Sequence, residues 1–277
     1  MARLFGQKMH ETWGQSVIND YKPGGNTIIG SEALVRSAPD GYSLLLVLNT
    51  HAINPLLNKL PYDPVKDFAP ITTIGISEYM LAIHPSVPAN TLKEFVAYVK
   101  ARPGQLNYST SGAGGLGHLS GELFNVVAGV KTQHIPFKGG APSVQALVAG
   151  DVQLCFLHPI NVPGQIKAGK VKAIAISGKN RLPALPDMPT FTEAGLPALE
   201  STNWFGMLAP AGTPRDIINK LSVEMNRIQL APDTRQKLSA QGVEPYPGSP
   251  EQFAALIKSD TDKFAKVVKA ANIKLEN

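Results

Sequence analysis

The sequence lacks the residues and patterns that are typical of several common classes of protein. It contains one cysteine, Cys155, so it can form neither an internal disulfide nor a cysteine-based zinc site. None of its apolar runs reaches the ~18 residues expected of a transmembrane helix. Its six histidines show no metal-ligand spacing. Charged residues make up only 17% of the chain, which argues against a disordered or coiled-coil protein.

The length, apolar content and net charge are typical of a folded protein that binds an acidic partner. The chain has 277 residues, 43% of them apolar, which is enough for one large domain or two ordinary ones. Its formal net charge of +5 favours acidic ligands or surfaces. Because the lysines and arginines are scattered and form no basic run, we expect no nucleic-acid partner.

Strand-like and helix-like segments alternate through most of the chain. Residues 43–48 form a run whose last five residues are all apolar, as in a strand that is covered on both faces, and Ser16–Asn19 is predicted as a further strand. A helix is predicted over Thr91–Ala101, with Thr91 and Glu94 as a candidate capping box. The alternation predicts an α/β fold whose sheets are mostly parallel and flanked by helices.

The length fits two such sheets better than one, and the sequence suggests where the chain passes between them. The candidate crossings lie near Glu78–His84 and Asn203–Ala209, and the helical sequence beyond Pro210 is expected to return to the first lobe. We therefore predict a discontinuous lobe 1, formed by residues 1–78 and 209–277, and a lobe 2 formed by residues 79–208.

The most informative segment is Asn107–His118, in which a predicted strand is followed by a glycine- and hydroxyl-rich turn and then by a helix. We call residues Ser111–Gly115 the glycine turn. Such a turn leaves the first N–H groups of the helix available at its positive end, which attracts an anion. Gly112-x-Gly114-x-x-Gly117 also matches the dinucleotide-binding fingerprint.

A nucleotide is nevertheless a poorer fit than a small carboxylate. The fingerprint needs an acidic residue at the end of the next strand, but the predicted strand at 132–137 is followed by Lys138. The Gly-Lys-Ser/Thr sequence of phosphate-binding loops is also missing after Gly117. A nicotinamide-nucleotide-dependent enzyme that uses this turn stays open as the alternative.

Two other strand–helix junctions resemble the glycine turn. One is Pro136–Ser143, where Lys138 adds positive charge, and the other is Asn49–Asn54, at the end of the apolar strand. Ligands of open parallel sheets bind at the carboxyl ends of strands. Three such loops together therefore favour a binding site, although all three could also be ordinary turns.

No catalytic set emerges from the remaining polar residues. A Ser111–His118 dyad lacks both a Gly-x-Ser-x-Gly elbow and an identifiable acid, so His118 is predicted to order the turn. Cys155 is predicted to be a buried apolar residue on a strand, and Trp204 and Phe205 are predicted to pack in a core.

The ordered set of motifs resembles the Bug family, the extracytoplasmic solute receptors of tripartite tricarboxylate transporters. The likeness runs from Ala2 to nearly the last residue. The segments that carry it are Ala38–Tyr42, Leu60–Pro70, Asn107–Gly112, Pro136–Gly140, Leu185–Thr190 with Glu193, Trp204–Gly206 and Ala209–Pro214.

This resemblance implies a two-lobed periplasmic-binding-protein-like fold that closes on a small organic acid and hands it to a membrane permease. It implies a monomeric, periplasmic binding protein, not an enzyme, with no cofactor and no metal. Much of the ligand contact in the family runs through backbone groups and ordered waters. Carried over to this sequence, the contacts fall on Thr50, His51, Ser111, Gly112, Gly114, Gly115, Lys138, Gly139, Gly140 and Ala141.

The sequence departs from the family pattern in two places. Family members begin with a signal peptide, a first strand and a Pro-Pro-Gly-Gly-type loop, whereas this sequence starts just after that loop and shows no signal peptide. We therefore expect part of the pocket to be missing, and a truncated remnant without binding function is a further alternative. If Met1 is the true start, a cytoplasmic location is expected instead of a periplasmic one. In addition, Leu157-His-Pro159 stands where relatives often carry an acid or a small polar residue.

Overall fold

The computed structural model describes residues 1–22, 24–182, 185–200 and 202–273, which form two units. Unit 1 comprises Met1–Ser77 and Trp204–Ala265, and unit 2 comprises Glu78–Asn203 and the chain from Lys266 onward. In chain order the elements are α1 (Ala2–Trp13), α2 (Ile28–Val35), β1 (Leu45–Leu48), α3 (Thr50–Leu57), β2 (Phe68–Ser77), β3 (Met80–Ile83), α4 (Leu92–Lys100), β4 (Asn107–Thr110), α5 (Leu116–Ala128), β5 (Gln133–Pro136), α6 (Gly140–Ala149), β6 (Leu154–Leu157), α7 (Pro163–Lys167), β7 (Lys172–Ile176), β8 (Asn203–Pro210), α8 (Arg215–Leu230), α9 (Pro232–Ser239), β9 (Glu244–Pro245) and α10 (Pro250–Ala271).

Unit 1 is built on a sheet with the strand order β1-β8-β2-β9, and helices cover both of its faces. Side chains alternate along β8 because successive residues of a strand point to opposite faces. Trp204 packs with Phe253 of α10 on one face, whereas Phe205 and Met207 pack with α1 and α8 on the other. Gly206 allows α10 to lie close, since a Cβ there would stand 2.1 Å from the Phe253 ring.

Unit 2 has a five-stranded sheet in the order β5-β4-β6-β3-β7. β4 runs parallel to β5 and to β6, while β3 is antiparallel to β6 and to β7. Four of the five strands therefore point in one direction, and their carboxyl ends lie at one edge, where β3 begins. We call this edge the carboxyl edge of unit 2. Cys155 is buried on β6, as predicted.

Most predicted elements are present, with ends shifted by a few residues, and the α/β class is confirmed. The predicted strand at Ser16–Asn19 is wrong, because residues 15–22 have no regular secondary structure. A strand needs a neighbour for its backbone hydrogen bonds, and none of the described strands pairs with this segment, in which Ile18 is 89% exposed. The described pairs β1–β8 and β2–β9 are antiparallel, so the parallel arrangement expected from the strand–helix alternation holds for unit 2 and not for these pairs.

Candidate functional site

The glycine turn lies at the carboxyl edge of unit 2, between the end of β4 and the start of α5. Gly114 has a φ of 75°, which a residue with a side chain rarely adopts. Gly115 occupies the N-cap position, where no side chain accepts a hydrogen bond, and the first turn of α5 has no acidic residue. The amino-terminal end of this helix is therefore open to an external acceptor.

A second helix begins directly beside the glycine turn. Gly139, with a φ of 111°, is the N-cap of α6, which also lacks a capping side chain and an acid in its first turn. The Gly139 N–H donates to the Ser111 carbonyl at 3.1 Å, and the Phe137 N–H donates to the Thr110 carbonyl at 3.0 Å. These bonds hold the two turns side by side, so the starts of α5 and α6 share one edge.

The other predicted residues of this edge are also close to the two helix starts. Lys138 and Ala141 are exposed, and Gly140 is the first residue of α6. A Cβ at Gly140 would lie 3.9 Å from the side-chain nitrogen of Asn161, in the short 3-10 helix that follows β6. The structure thus brings the predicted residues of segments 111–115 and 138–141 together.

His118 orders the glycine turn, as predicted. Its Nδ1 accepts a hydrogen bond from the Gly114 N–H at 3.1 Å, so that nitrogen is unprotonated. Burial lowers the pKa of His118 and keeps the ring neutral. With Nδ1 engaged in this way, His118 acts as a brace for the turn and not as the base of a hydrolytic dyad.

Sequence reasoning missed a polar group at the same edge. The Glu78 carboxylate accepts a hydrogen bond from the Ser177 hydroxyl at 2.9 Å, and His158 Nδ1 lies 3.1 Å from the Glu78 carbonyl oxygen. The Tyr79 and His158 rings meet edge to face with centroids 4.2 Å apart. These residues are distant in sequence, and only the strand order of the sheet brings them together.

The third predicted loop lies in unit 1, where α3 begins immediately after β1. The side chains of Asn49 and His51 are 1% and 2% exposed. His51 Nε2 lies 2.9 Å from the Pro64 carbonyl oxygen, and burial lowers the pKa of the ring to about 4. The structure therefore holds the neutral imidazole inside the core, so contact of its ring with a ligand stays a prediction.

Several buried polar atoms at this helix start have no hydrogen-bond partner among the described residues. Buried polar groups normally have one, because leaving one unpaired costs about 1–3 kcal/mol. Atoms of this kind are normally satisfied by an ordered water or by a bound polar group. The atoms are both side-chain amide atoms of Asn49, the hydroxyl of Thr50, Nδ1 of His51 and Oδ1 of Asn54.

The described residues contain neither a candidate metal site nor a candidate membrane-spanning helix. No three His, Cys, Asp or Glu side chains there lie close enough together to hold a metal ion. No helix in the same part of the chain has the length and apolar character needed to cross a membrane.

The fold and the site define a solute receptor of the periplasmic binding protein class. A family model for the tripartite tricarboxylate transporter family receptor matches residues 1–273. The chain belongs to this family. It is therefore a binding protein and not an enzyme, which removes the nicotinamide-nucleotide alternative, and the absence of an acid after β5 agrees with this.

Individual relatives and structures support the assignment. The chain is 31% identical over 270 residues to a UPF0065 protein of Pseudomonas sp. strain P51, covering 97% of this chain and 80% of the relative. It is 30% identical over 279 residues to BugT of Bordetella pertussis, covering 100% and 86%.

Among solved structures, the chain is similar to a periplasmic transporter with 39% identity and a TM-score of 0.86, covering 99% and 93%. It is also similar to Rpa4515 of R. palustris with adipate, with 30% identity and a TM-score of 0.86, covering 99% and 92%. MatC of Rhodopseudomonas palustris with bound malate matches with 32% identity and a TM-score of 0.82, covering 96% and 92%. The predicted periplasmic-binding-protein fold is thereby confirmed.

Proposed function

We propose that this protein binds a small organic carboxylate at the carboxyl edge of unit 2 and delivers it to a tripartite tricarboxylate-type membrane permease. The observation that carries the proposal is the pair of uncapped helix starts, α5 and α6, which backbone hydrogen bonds hold side by side.

Two physical effects favour a carboxylate at this position. The first N–H groups of a helix lack partners within the helix, and the helix dipole places partial positive charge there. Such ends bind anions without a dedicated basic side chain. Lys138 is exposed beside the start of α6 and adds a full positive charge. We propose Ser111, Gly112, Gly114, Gly115, Lys138, Gly139, Gly140 and Ala141 as the ligand-contacting residues of unit 2.

The start of α3 is proposed as a second element that recognises a polar ligand group, in unit 1. Thr50 and His51 stand at the first positions of this helix, and the unpartnered atoms around them supply donors and acceptors. Thr50 is expected to contribute its hydroxyl, and His51 its unpartnered Nδ1 and its backbone N–H.

The chemical class of the ligand is inferred from the site and from the relatives. Two solved neighbours were found with adipate and with malate, and both of these are dicarboxylates. Both N-caps are glycines, so no N-cap side chain stands between either helix start and a ligand carboxylate. We infer that a dicarboxylate or an aromatic acid is the ligand, and that the protein acts in the periplasm, as the family's receptors do.

A thermal-shift screen tests the proposal. The panel contains acetate, malate, adipate, citrate and benzoate, with NADP included as a nucleotide control. At least one acid is expected to raise the unfolding temperature in a saturable manner, because ligands that bind only the native state stabilise it. A folded sample that none of the acids stabilises would contradict the proposal, and so would stabilisation by NADP alone.

Delivery to a permease is tested separately from binding. Co-expression with the membrane subunits of a tripartite transporter is expected to give uptake of the bound acid that depends on this protein. Uptake that is equally fast without the protein would contradict the delivery step and leave the binding step standing.

A further inference from the structure

Three aromatic rings form a continuous stack beneath the glycine turn. The His118 and His134 rings are stacked with their centroids 3.9 Å apart and their planes 11° from parallel. Tyr108 also stacks on His134, with the ring centroids 4.9 Å apart and the planes 30° from parallel. The rings come from α5, β5 and β4, so the stack joins all three elements.

Each histidine reaches a different part of the turn. His118 Nδ1 accepts from the Gly114 N–H. His134 Nε2 lies 2.7 Å from the Thr110 hydroxyl, which in turn lies 3.0 Å from the Gly112 carbonyl oxygen. The Gly112 N–H also donates to this hydroxyl at 3.3 Å. The two imidazoles thus fix the backbone of Gly112 and Gly114.

We propose that the stacked pair His118 and His134 is a positioning device for the glycine turn, and that protonation of His118 releases the turn and weakens carboxylate binding. This inference rests on the proposed function, since it assigns a role to residues that support the site. Neither histidine need touch the ligand; both act through Gly112 and Gly114.

The geometry explains why the charge state of His118 matters. The bond from Gly114 needs a lone pair on Nδ1, and protonation replaces this lone pair with a second N–H donor. Two donors would then face each other at a distance that suits a hydrogen bond. The ring is 8% exposed, so it cannot turn into water without disrupting the stack.

Burial and mutual repulsion set the order of protonation. Burial lowers the pKa of His118, and the neighbouring Glu122 carboxylate acts in the opposite direction. Burial lowers the pKa of His134 to about 3, and a charge on His118 lowers it too. Because Glu122 favours a charge on His118 whereas burial and His118 both disfavour one on His134, we expect the first proton taken up by the stack to go to His118.

The charged and titratable groups around His118 are few. Glu122, one turn along α5, accepts a hydrogen bond from the Tyr108 hydroxyl at 2.6 Å. Cys155 of β6 does not face His118, because it packs with α6, where its Sγ lies 3.4 Å from the Ser143 hydroxyl. Glu200 follows the 3-10 helix Pro197–Leu199, which also packs against α5, and its carboxylate accepts from the Gly178 N–H and the Thr192 hydroxyl. Glu122 is thus the charged group that acts on His118.

Two substitutions of His118 distinguish the contribution of its hydrogen-bond acceptor from that of its aromatic ring. His118→Asn places Oδ1 where Nδ1 stands and does not titrate, whereas His118→Phe keeps an aromatic ring and removes the acceptor. At pH 7.5, we expect His118→Phe to lower the affinity for the best acid of the panel about tenfold, which corresponds to about 1.4 kcal/mol. His118→Asn is expected to restore most of that loss.

The pH dependence of binding distinguishes the proposed role of His118 from a merely structural one, because a structural role would not depend on the charge of the ring. As the pH falls from 7.5 through the titration of His118, the ratio of the dissociation constant of the wild type to that of His118→Asn is expected to rise and to level off near the roughly tenfold loss expected for His118→Phe. Protonation of the acid itself cancels in this ratio. His84→Asn is the matched control, since His84 bonds Ser86 away from the turn, and its profile is expected to follow the wild type. A ratio that stays flat would overturn the proposal.

A spectroscopic measurement keeps this inference distinct from the proposed function. In the protein without ligand, ¹⁵N NMR is expected to show His118 Nδ1 unprotonated at pH 7.5 and the Gly114 amide shifting as His118 titrates. Absence of binding by any acid would contradict the proposed function alone. A Gly114 amide that does not respond to the titration of His118 would contradict the positioning role, whatever the protein binds.

Discussion

Two kinds of helix start occur on opposite edges of the unit 2 sheet. At the start of α4, the Thr91 hydroxyl accepts from the Glu94 N–H at 3.2 Å, and the Glu94 carboxylate accepts from the Asn90 N–H at 2.8 Å. This reciprocal capping box closes the helix. At the carboxyl edge, the N-caps of α5 and α6 are the glycines Gly115 and Gly139, with no capping side chain.

The difference shows that helix starts on opposite edges of one sheet have different roles. One is closed and adds stability, whereas the others are open to a ligand. α4 follows β3, which ends at the edge opposite to the carboxyl edge. The Thr91 hydroxyl accepts from the Glu94 N–H of this helix, and the Glu94 carboxylate places its own negative charge at the helix start. α5 and α6 follow parallel strands, and their donors are left for an external acceptor. A glycine N-cap gives up roughly a few tenths of a kcal/mol relative to a capping side chain, and the protein does so at two adjacent positions.

Closing the open start of α5 is expected to have the largest effect. Gly115 has a φ of −85° and a ψ of 173°, as an N-cap residue should, and a Cβ there would meet only the Gly112 carbonyl oxygen, at 3.9 Å. In Gly115→Asp, the new carboxylate would cap α5 and repel an acidic ligand. We expect the dissociation constant, measured by calorimetry, to rise about 100-fold, or about 2.7 kcal/mol, with the unfolding temperature unchanged or higher.

Gly115→Asn is the matched control for this substitution, because it caps the helix without a charge. It is expected to weaken binding less than the aspartate does. Undiminished affinity in Gly115→Asp would show that the start of α5 takes no part in binding.

The second-largest effect is expected at the close contact between α5 and β4. A Cβ at Gly121 would stand 2.3 Å from the Tyr108 ring, so Gly121→Ala forces α5 away from β4. Overpacking of this kind costs about 1–3 kcal/mol, and urea unfolding measures it. Val126→Ala, at a 43% exposed position of the same helix, is expected to change the free energy of unfolding by less than about 0.5 kcal/mol.

Removing the capping side chain at the start of α4 is expected to lower stability without changing ligand affinity. Thr91→Ala removes the acceptor for the Glu94 N–H and should lower the free energy of unfolding by about 1 kcal/mol. Thr91→Ser should restore it. Neither variant should change the affinity for an acid, and a clear loss of affinity in Thr91→Ala would break the proposed separation of the two edges.

The smallest expected effect belongs to Lys138. Its side chain is exposed, so water and salt weaken its attraction to a ligand. Lys138→Ala is expected to reduce affinity about threefold at low salt, and less at high salt. Lys93→Ala, on the exposed face of α4, is the control and should leave affinity unchanged.

The parts of the molecule that local sequence determines were predictable. The capping box at Thr91 and Glu94, the glycine turn and the ordering role of His118 all follow from residues within a few positions of one another. The strand predicted at Ser16–Asn19 failed because β-branched residues such as Val17 and Ile18 show that a segment suits a strand but not whether a partner strand is present.

The rest of the site depends on strand pairing, which one sequence does not reveal. The link from His134 to Gly112 exists because β4 and β5 pair with Tyr108 opposite His134. Glu78 and Ser177 meet because β3 lies beside β7. The antiparallel pairs of unit 1 were missed for the same reason.

The most direct test of the account follows the backbone amides of ¹⁵N-labelled protein as the best acid of the panel is added. The open helix starts are expected to respond, with the largest shifts at residues 115–117 and 140–141, while the amides of residues 91–94 stay in place. Saturable shifts confined to other parts of the chain, or shifts at the start of α4 as large as those at α5 and α6, would contradict the claim that the open starts bind the ligand.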